Sequence, residues 1–265
     1  MACPESPAGA AGTAPFSQRV QRCFGRQAAA YEHQAPLQAA VAHRLARLLQ
    51  PLAAQLPAGA CADLGAGSGL LARAIEAHSA VRPLLRLDSC AALLAEDRRR
   101  DPPPPQRLWD LNLGLPSELD GAALLASSFA LQWLEQPQLQ LQRWCSALAP
   151  AGVLALALPC AGSLQVWRQA AQRAAVPFTG LPLPEASPLI ALAAERLDLQ
   201  QARPLRFSRP NRGAWELLRQ IKAIGAQASR GPRLTRPQLQ ALARHWPGPQ
   251  QPIIWEVLVL VGRKR

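Results

Sequence analysis

Apolar positions recur along this chain in two alternating rhythms. Between Leu37 and Leu56 they fall at Val41, Leu45, Leu48, Leu49 and Leu52, the spacing of one helical face. A short apolar segment, Ala60-Cys61-Ala62, then runs into Asp63, and Leu84-Leu85-Arg86-Leu87 runs into Asp88. Between them Leu70 to Ala77 reads as a helix, and Ala91 to Arg99 as another. Strands are predicted at Leu108-Trp109-Asp110, Ala122 to Ser127 and Val153 to Leu158, with a helix from Leu139 to Leu148 before the last. Strands that alternate with helices predict an α/β fold with a doubly wound, mostly parallel sheet.

The pattern loosens beyond the fifth strand. Helices are expected around Leu164 to Val176, Ile190 to Leu197, Ala214 to Ala228 and Pro237 to His245, the last behind a Thr235 N-cap. Strands Leu199 to Phe207 and Ile253 to Val261 bring the sheet to seven. The proline-broken helices at about 160–197 and 211–246 are expected to form a lid over the carboxyl ends of the parallel strands, where ligands of such sheets bind. Ahead of the first strand, Val20 to Tyr31 reads as a short helix, and residues 1–15, rich in Ala, Gly and Pro, as a disordered tail. Residues 16–265 form one predicted domain.

The turn after the first strand carries the candidate chemistry. Asp63-Leu64-Gly65-Ala66-Gly67-Ser68-Gly69 joins a strand to a helix, and Asp88 ends the next strand, as in a nucleotide-binding βαβ unit. A dinucleotide fingerprint counted from Gly65 needs glycine where Leu70 stands. The motif instead resembles the first motif of class I S-adenosylmethionine methyltransferases. That resemblance implies S-adenosylmethionine as cofactor and a sheet ending in an antiparallel pair. It also implies a cofactor site of Asp63, Gly65, Ala66, Gly67, Gly69, Asp88, Ser89, Asp110, Leu111 and Ser128. Asp63 would face the amino-acid end, Asp88 the ribose hydroxyls and Asp110 the adenine amino group.

Four further segments are similar to the malonyl-acyl-carrier-protein O-methyltransferases of biotin synthesis. They are Phe24-Gly25-Arg26-Gln27-Ala28-Ala29-Ala30-Tyr31, Ser127-Ser128-Phe129-Ala130-Leu131-Gln132-Trp133, Gly162-Ser163-Leu164 with Leu218-Arg219-Gln220-Ile221-Lys222-Ala223-Ile224-Gly225-Ala226, and Leu234-Thr235-Arg236-Pro237-Gln238-Leu239. The similarity implies methyl transfer to the free carboxylate of a malonyl thioester, on acyl carrier protein or coenzyme A. Tyr31 would close over the methionine end, Gln132 and Trp133 would position substrate, and Lys222 and Arg26 would grip a carboxylate, with Arg230 and Arg236 behind them. Ser128, where relatives carry Asn, departs from the family pattern. Related transferases of other small carboxylates or of a quinone precursor are the alternative.

Composition narrows the remaining classes. The net charge of +12 invites a nucleic-acid partner, but it is nearly all dispersed arginine, with Lys222 and Lys264 the only lysines. Arg98-Arg99-Arg100 is the one cluster. An RNA-modifying or RNA-binding protein is therefore the less favoured reading. Cys3, Cys23, Cys61, Cys90, Cys145 and Cys160 are scattered, so neither a zinc site nor any other metal is expected, and a reducing cytoplasm is. No apolar run reaches membrane-spanning length and no secretory signal is evident. A carboxylate is already ionised at neutral pH, which explains why no catalytic triad is visible and why His33, His43, His78 and His245 are dispersed.

Overall fold

A computed structural model describes residues 15–98 and 101–265; residues 1–14 of the predicted tail and the end of the Arg98-Arg99-Arg100 cluster lie outside the described residues. The chain opens with α1 (Phe16–Gly25), α2 (Tyr31–Gln34) and α3 (Pro36–Ala53). It continues through β1 (Cys61–Leu64), α4 (Leu70–His78), β2 (Leu85–Asp88), α5 (Ala91–Arg98), β3 (Gln106–Leu108) and β4 (Ala122–Ser128). Next come α6 (Pro137–Ala147), β5 (Leu148–Pro159), α7 (Gln165–Arg173), α8 (Ala186–Ala194) and β6 (Leu197–Arg209). The last elements are α9 (Ala214–Ala223), α10 (Arg236–Arg244) and β7 (Ile253–Lys264).

Seven strands form one sheet in the order β3-β2-β1-β4-β5-β7-β6. Strands β1 to β5 pair in parallel, and β7 inserts antiparallel between β5 and β6. The central strands read as continuous apolar runs because helices bury both faces. On one face Val41, Leu45, Leu49, Leu71 and Ile75 of α3 and α4 pack against β1, β4, β5 and β7. On the other, Leu141 and Trp144 of α6 and Leu189 of α8 pack against the same sheet. The reversal of strand order between β1 and β4 puts the ligand crevice at their carboxyl ends.

Three boundaries differ from expectation. The predicted third strand ends at Leu108, and Asp110 instead caps a short turn, accepting hydrogen bonds from the Asn112 backbone and side-chain N–H groups at 2.9 and 2.8 Å. The first predicted helix is broken after Gly25, so Tyr31 opens a separate short helix. The helix expected at Ile190 to Leu197 runs from Ala186 to Ala194 instead, with Ala186, Leu189 and Ala193 buried in the core and Ser187, Pro188 and Ala191 exposed. Helices α7, α9 and α10 share a small core of their own, Trp167, Leu217, Ile221 and Leu242. Buried Asn211 stitches it, accepting from the Trp246 indole at 2.9 Å and donating to the Pro247 carbonyl at 3.1 Å.

Candidate functional site

The loop after β1 is held by β2. Backbone N–H groups of Gly65 and Ala66 both donate to the Leu87 carbonyl, at 2.8 and 2.9 Å. The Gly67 N–H donates to Asp88 Oδ2 at 2.8 Å, and the Cys90 N–H to Asp88 Oδ1 at 2.7 Å. Asp88 thus fixes the loop, and each oxygen keeps lone-pair capacity for a ligand hydroxyl. Burial pushes its carboxyl up, against the pull of these backbone hydrogen bonds.

The glycines serve different ends. Gly65 has φ of 72°, and a Cβ there would lie 2.2 Å from the Ala130 methyl, so it lets the loop after β4 close in. At Gly69, φ 83°, the obstacle would be the Asp97 carboxylate, 2.2 Å from an added Cβ. Asp97 is fully buried and accepts from Arg86 Nε at 3.1 Å and from an Arg73 nitrogen at 2.9 Å. Arg73 also donates to the Ser68 carbonyl inside the loop and to Glu32 at 2.5 Å, beside Tyr31. One arginine therefore braces the loop, the buried aspartate and the segment carrying Tyr31. Gly69, expected among the cofactor residues, leaves room for this brace and is not part of the cavity lining. The brace had no signature in the sequence.

A cavity opens above this loop. The other expected cofactor residues, from Asp63 to Ser128, all line it. Asp63 is buried, and its Oδ2 accepts from the Ala72 N–H at 3.1 Å while Oδ1 has no partner within the protein. Desolvation lifts the Asp63 carboxyl from 3.8 to about 7, although Arg86 and the Ala72 N–H pull it down. A buried, half-satisfied carboxylate is costly unless a ligand cation or donor meets it. Ser17, Val20, Gln21 and Phe24 of α1 close the outer side, a contribution the sequence pattern had not assigned to α1. The enclosed space is about 110 Å³, below the roughly 300–1,000 Å³ usual for ligand sites, so α1 is drawn in tightly.

A second cavity, about 480 Å³, lies beyond it under the α7, α9 and α10 excursion. The two share Phe24, Tyr31, Gln38, Phe129 and Trp133 as common wall. Trp133 meets Phe24 edge-on with centroids 5.4 Å apart, and Phe129 holds a left-handed φ of 56°. Such a conformation in a bulky residue is a strain found at ligand sites. Tyr31 is the only titratable side chain of this wall; burial, with Asp88 and Glu32 adding to it, pushes its hydroxyl above the usual phenol range. It stays a neutral donor at physiological pH.

Gln132 and Lys222 line the second cavity, as does Arg233, which had not been singled out. Arg26, expected to grip a carboxylate, is exposed at the end of α1 and lines neither cavity. Arg230 is engaged elsewhere, with Glu135 at 2.7 Å and over the Phe16 ring at 3.9 Å. Arg236 begins α10 outside the cavity lining. Among the described residues no cluster of metal-ligating side chains occurs, and no helix is long and apolar enough to cross a membrane.

The architecture has counterparts among solved structures. It superposes on the YcgJ protein of Bacillus subtilis with a TM-score of 0.57 at 16% identity, covering 84% of this chain and 99% of that one. It also superposes on a geranyl diphosphate methyltransferase in complex with S-adenosylmethionine, at 0.52 and 15%, covering 86% and 85%. The chain has the class I methyltransferase fold. Within that fold it is similar to the malonyl-[acyl-carrier protein] O-methyltransferase of Alcanivorax borkumensis, 34% identical over 64% of this chain and 56% of the relative. It is similar to the biotin biosynthesis bifunctional protein BioCD of Bordetella avium, 31% identical over 88% of this chain and 50% of that protein. A trans-aconitate 2-methyltransferase of Deinococcus radiodurans is 37% identical over 43% of each chain. The chain thus spans about half the length of the first two relatives. No protein-family model matches it.

Proposed function

We propose that this chain binds S-adenosylmethionine in the glycine-loop cavity and methylates the free carboxylate of a malonyl thioester carried on acyl carrier protein. The observation that carries the proposal is the wall shared by the two cavities, which holds aromatic rings, Gln38 and a neutral tyrosine but no base. Such a junction suits a nucleophile that arrives already ionised. The lining of the first cavity suits the cofactor chemically, because Asp63 Oδ1 lacks a partner and an ammonium group would supply one; at about 110 Å³ the cavity has to widen, by outward movement of α1, to admit the whole molecule. Asp88 would accept from the ribose hydroxyls and Asp110 would take the adenine side. When bound, S-adenosylmethionine supplies the methyl group and its positive charge.

The remaining work belongs to the chain's own side chains. Phe24, Phe129 and Trp133 would exclude water from the junction, and the Tyr31 hydroxyl and Gln38 amide would orient a carboxylate oxygen by hydrogen bonds. Positioning of this kind, with water kept out, accounts for a large share of a barrier that needs no proton transfer. Lys222 and Arg233 would draw an anionic substrate into the second cavity. Cys61, Cys90, Cys145 and Cys160 are buried free thiols, and burial pushes Cys145 and Cys160 up to about 11, so neither of these two supplies a thiolate nucleophile.

A smaller free acid is the alternative substrate, favoured by the trans-aconitate relative. Transfer of labelled methyl groups to malonyl-acyl carrier protein, malonyl-CoA, trans-aconitate and bulk RNA, run in parallel, decides between them. Labelling of the malonyl thioesters, with product hydrolysed by mild base as an ester is, supports the proposal. Labelling of trans-aconitate or RNA alone overturns it.

A further inference from the structure

Two residues that line neither cavity tie its walls together. Arg73 and Glu32 are absent from the lining of both cavities. Arg73 sits in the first turn of α4, and its guanidinium meets three segments at once. One terminal nitrogen donates to the Ser68 carbonyl in the glycine loop and, at 2.9 Å, to Asp97 of α5. The other donates to Glu32 of α2 at 2.5 Å. Gly65, Ala66 and Gly67 of that loop line the first cavity, and Tyr31, next to Glu32, stands on the wall common to both. A chain of polar contacts therefore runs from the cofactor loop through Arg73 and Glu32 to Tyr31.

The two ends of this chain depend on Arg73 unequally. Asp97 keeps a cation without it, because Arg86 Nε donates to Asp97 at 3.1 Å. Glu32 has no other side-chain partner among the described residues. Helix α2 is a single turn, Tyr31–Gln34, with no side-chain cap at its start, and a turn of that length does not hold itself. Packing of Tyr31 with Phe24 beside Cys90 and Leu93 of α5 fixes its apolar side, and the Arg73–Glu32 pair fixes its polar side. A guanidinium suits this task because its donors lie in one rigid plane, so anchoring on one partner sets the direction of the others. An ammonium carries the same charge without that plane.

We infer that Arg73, acting through Glu32, is a positioning residue for methyl transfer, holding Tyr31 at a fixed place relative to the glycine loop. The inference rests on the cofactor occupying the first cavity and not on which carboxylate is methylated. Severing the link at Glu32 frees Tyr31 while leaving the loop intact, so the cost falls on turnover rather than on cofactor affinity.

Tyr31 is the only tyrosine of the chain, so protein made with ring-labelled tyrosine reports this one side chain by NMR. With S-adenosylhomocysteine bound, the parent should give one narrow ring signal. Arg73→Met and Glu32→Ala should each broaden or split it, Glu32→Ala with unchanged calorimetric affinity for S-adenosylhomocysteine. Turnover of malonyl-CoA should fall in kcat by about tenfold to hundredfold in both, the scale of lost positioning. The double variant should be no worse than Arg73→Met, since both changes cut one path. Arg73→Lys, which keeps the charge without the fork, should stay closer to Arg73→Met than to the parent. Val261→Ala, a small cavity in the core away from the brace, controls for lost stability and should keep the parent's kcat and signal. Glu32 is exposed, so Glu32→Ala keeps the test open if Arg73→Met does not fold. One narrow signal in both variants, an unchanged kcat in both, or full activity of Arg73→Lys overturns the inference. A parent that does not bind S-adenosylhomocysteine overturns the cofactor reading beneath it. Binding without methylation of malonyl-CoA overturns only the choice of acceptor, and the tyrosine signal then decides.

Discussion

Asp63→Asn separates what one carboxylate contributes to binding from what it costs the fold. Desolvation raises Asp63 from 3.8 to about 7. The folded-state value lies above the unfolded one, so the native protein holds a proton that the unfolded chain has released. Stability from that proton is fully present below pH 3.8 and is lost as pH rises through about 7. Each pKa unit is worth about 1.4 kcal/mol, so the whole rise corresponds to about 4 kcal/mol, of which about 3 kcal/mol is lost between pH 5 and pH 8. Asparagine preserves the shape and an acceptor for the Ala72 N–H but cannot titrate. Urea unfolding of both proteins at pH 5, 6, 7 and 8 should therefore show the variant gaining on the parent by about 3 kcal/mol over that interval. Calorimetry with S-adenosylhomocysteine at pH 8, which carries the same ammonium group, should show the variant weaker by about 1.5–3 kcal/mol. Parallel stability curves for the two proteins, or unchanged affinity with both folded, would refute the reasoning.

Other outcomes follow from neighbouring residues. Asp97→Asn weakens the charged hydrogen bonds from Arg86 and Arg73 but leaves Arg86 its Glu76 partner at 2.7 Å, and should lower unfolding stability by about 1.5–3 kcal/mol in urea titrations. Gly69→Ala places a methyl on the Asp97 carboxylate and a side chain at φ 83°, and should destabilise by at least about 1–2 kcal/mol while weakening cofactor binding through the loop. Asp88→Ala frees the Gly67 and Cys90 N–H groups and should weaken S-adenosylhomocysteine by about 1.5–3 kcal/mol in calorimetry. Hydrogen exchange at residues 226–234 should slow when cofactor product and a malonyl thioester are bound together, since these residues form much of the second cavity's rim.

Much of the fold was legible because it depends on short-range pattern. Apolar runs ending in Asp63 and Asp88, with helical spacing between them, define β1, α4 and β2 without reference to anything distant. Of the residues lining the first cavity, Asp63, Gly65, Gly67 and Asp88 belong to that local arrangement, whereas Asp110, Leu111 and Ser128 were expected only from the resemblance. Long-range partnerships were not legible: nothing near Asp97 announces that its carboxylate sits against Gly69 and joins Arg86 to Arg73. The arginines show the same limit. Arg26 and Arg233 look alike in sequence, and only the path of the α9–α10 connection turns one of them to the cavity while Arg26 faces solvent. The start of α8 was missed for a different reason. Pro188 reads as the end of a proline-rich linker, yet in the first turn of a helix its missing N–H costs no hydrogen bond.

The wall common to both cavities also bears on how specificity can be altered. Phe24 and Tyr31 come from the segment before β1, whereas Trp133 follows β4 and the opposite side of the second cavity belongs to α7, α9 and the loop before α10. Arg19 reaches across to the Ser229 carbonyl at 3.1 Å, and Arg230 covers the Phe16 ring, so α1 and the α9–α10 connection are fitted to each other. The region over the sheet is therefore no exchangeable cassette. A chimaera that imports only the α7–α10 excursion of another protein of this fold would set a foreign roof on native walls; α1 has to travel with it as part of the same heritable unit.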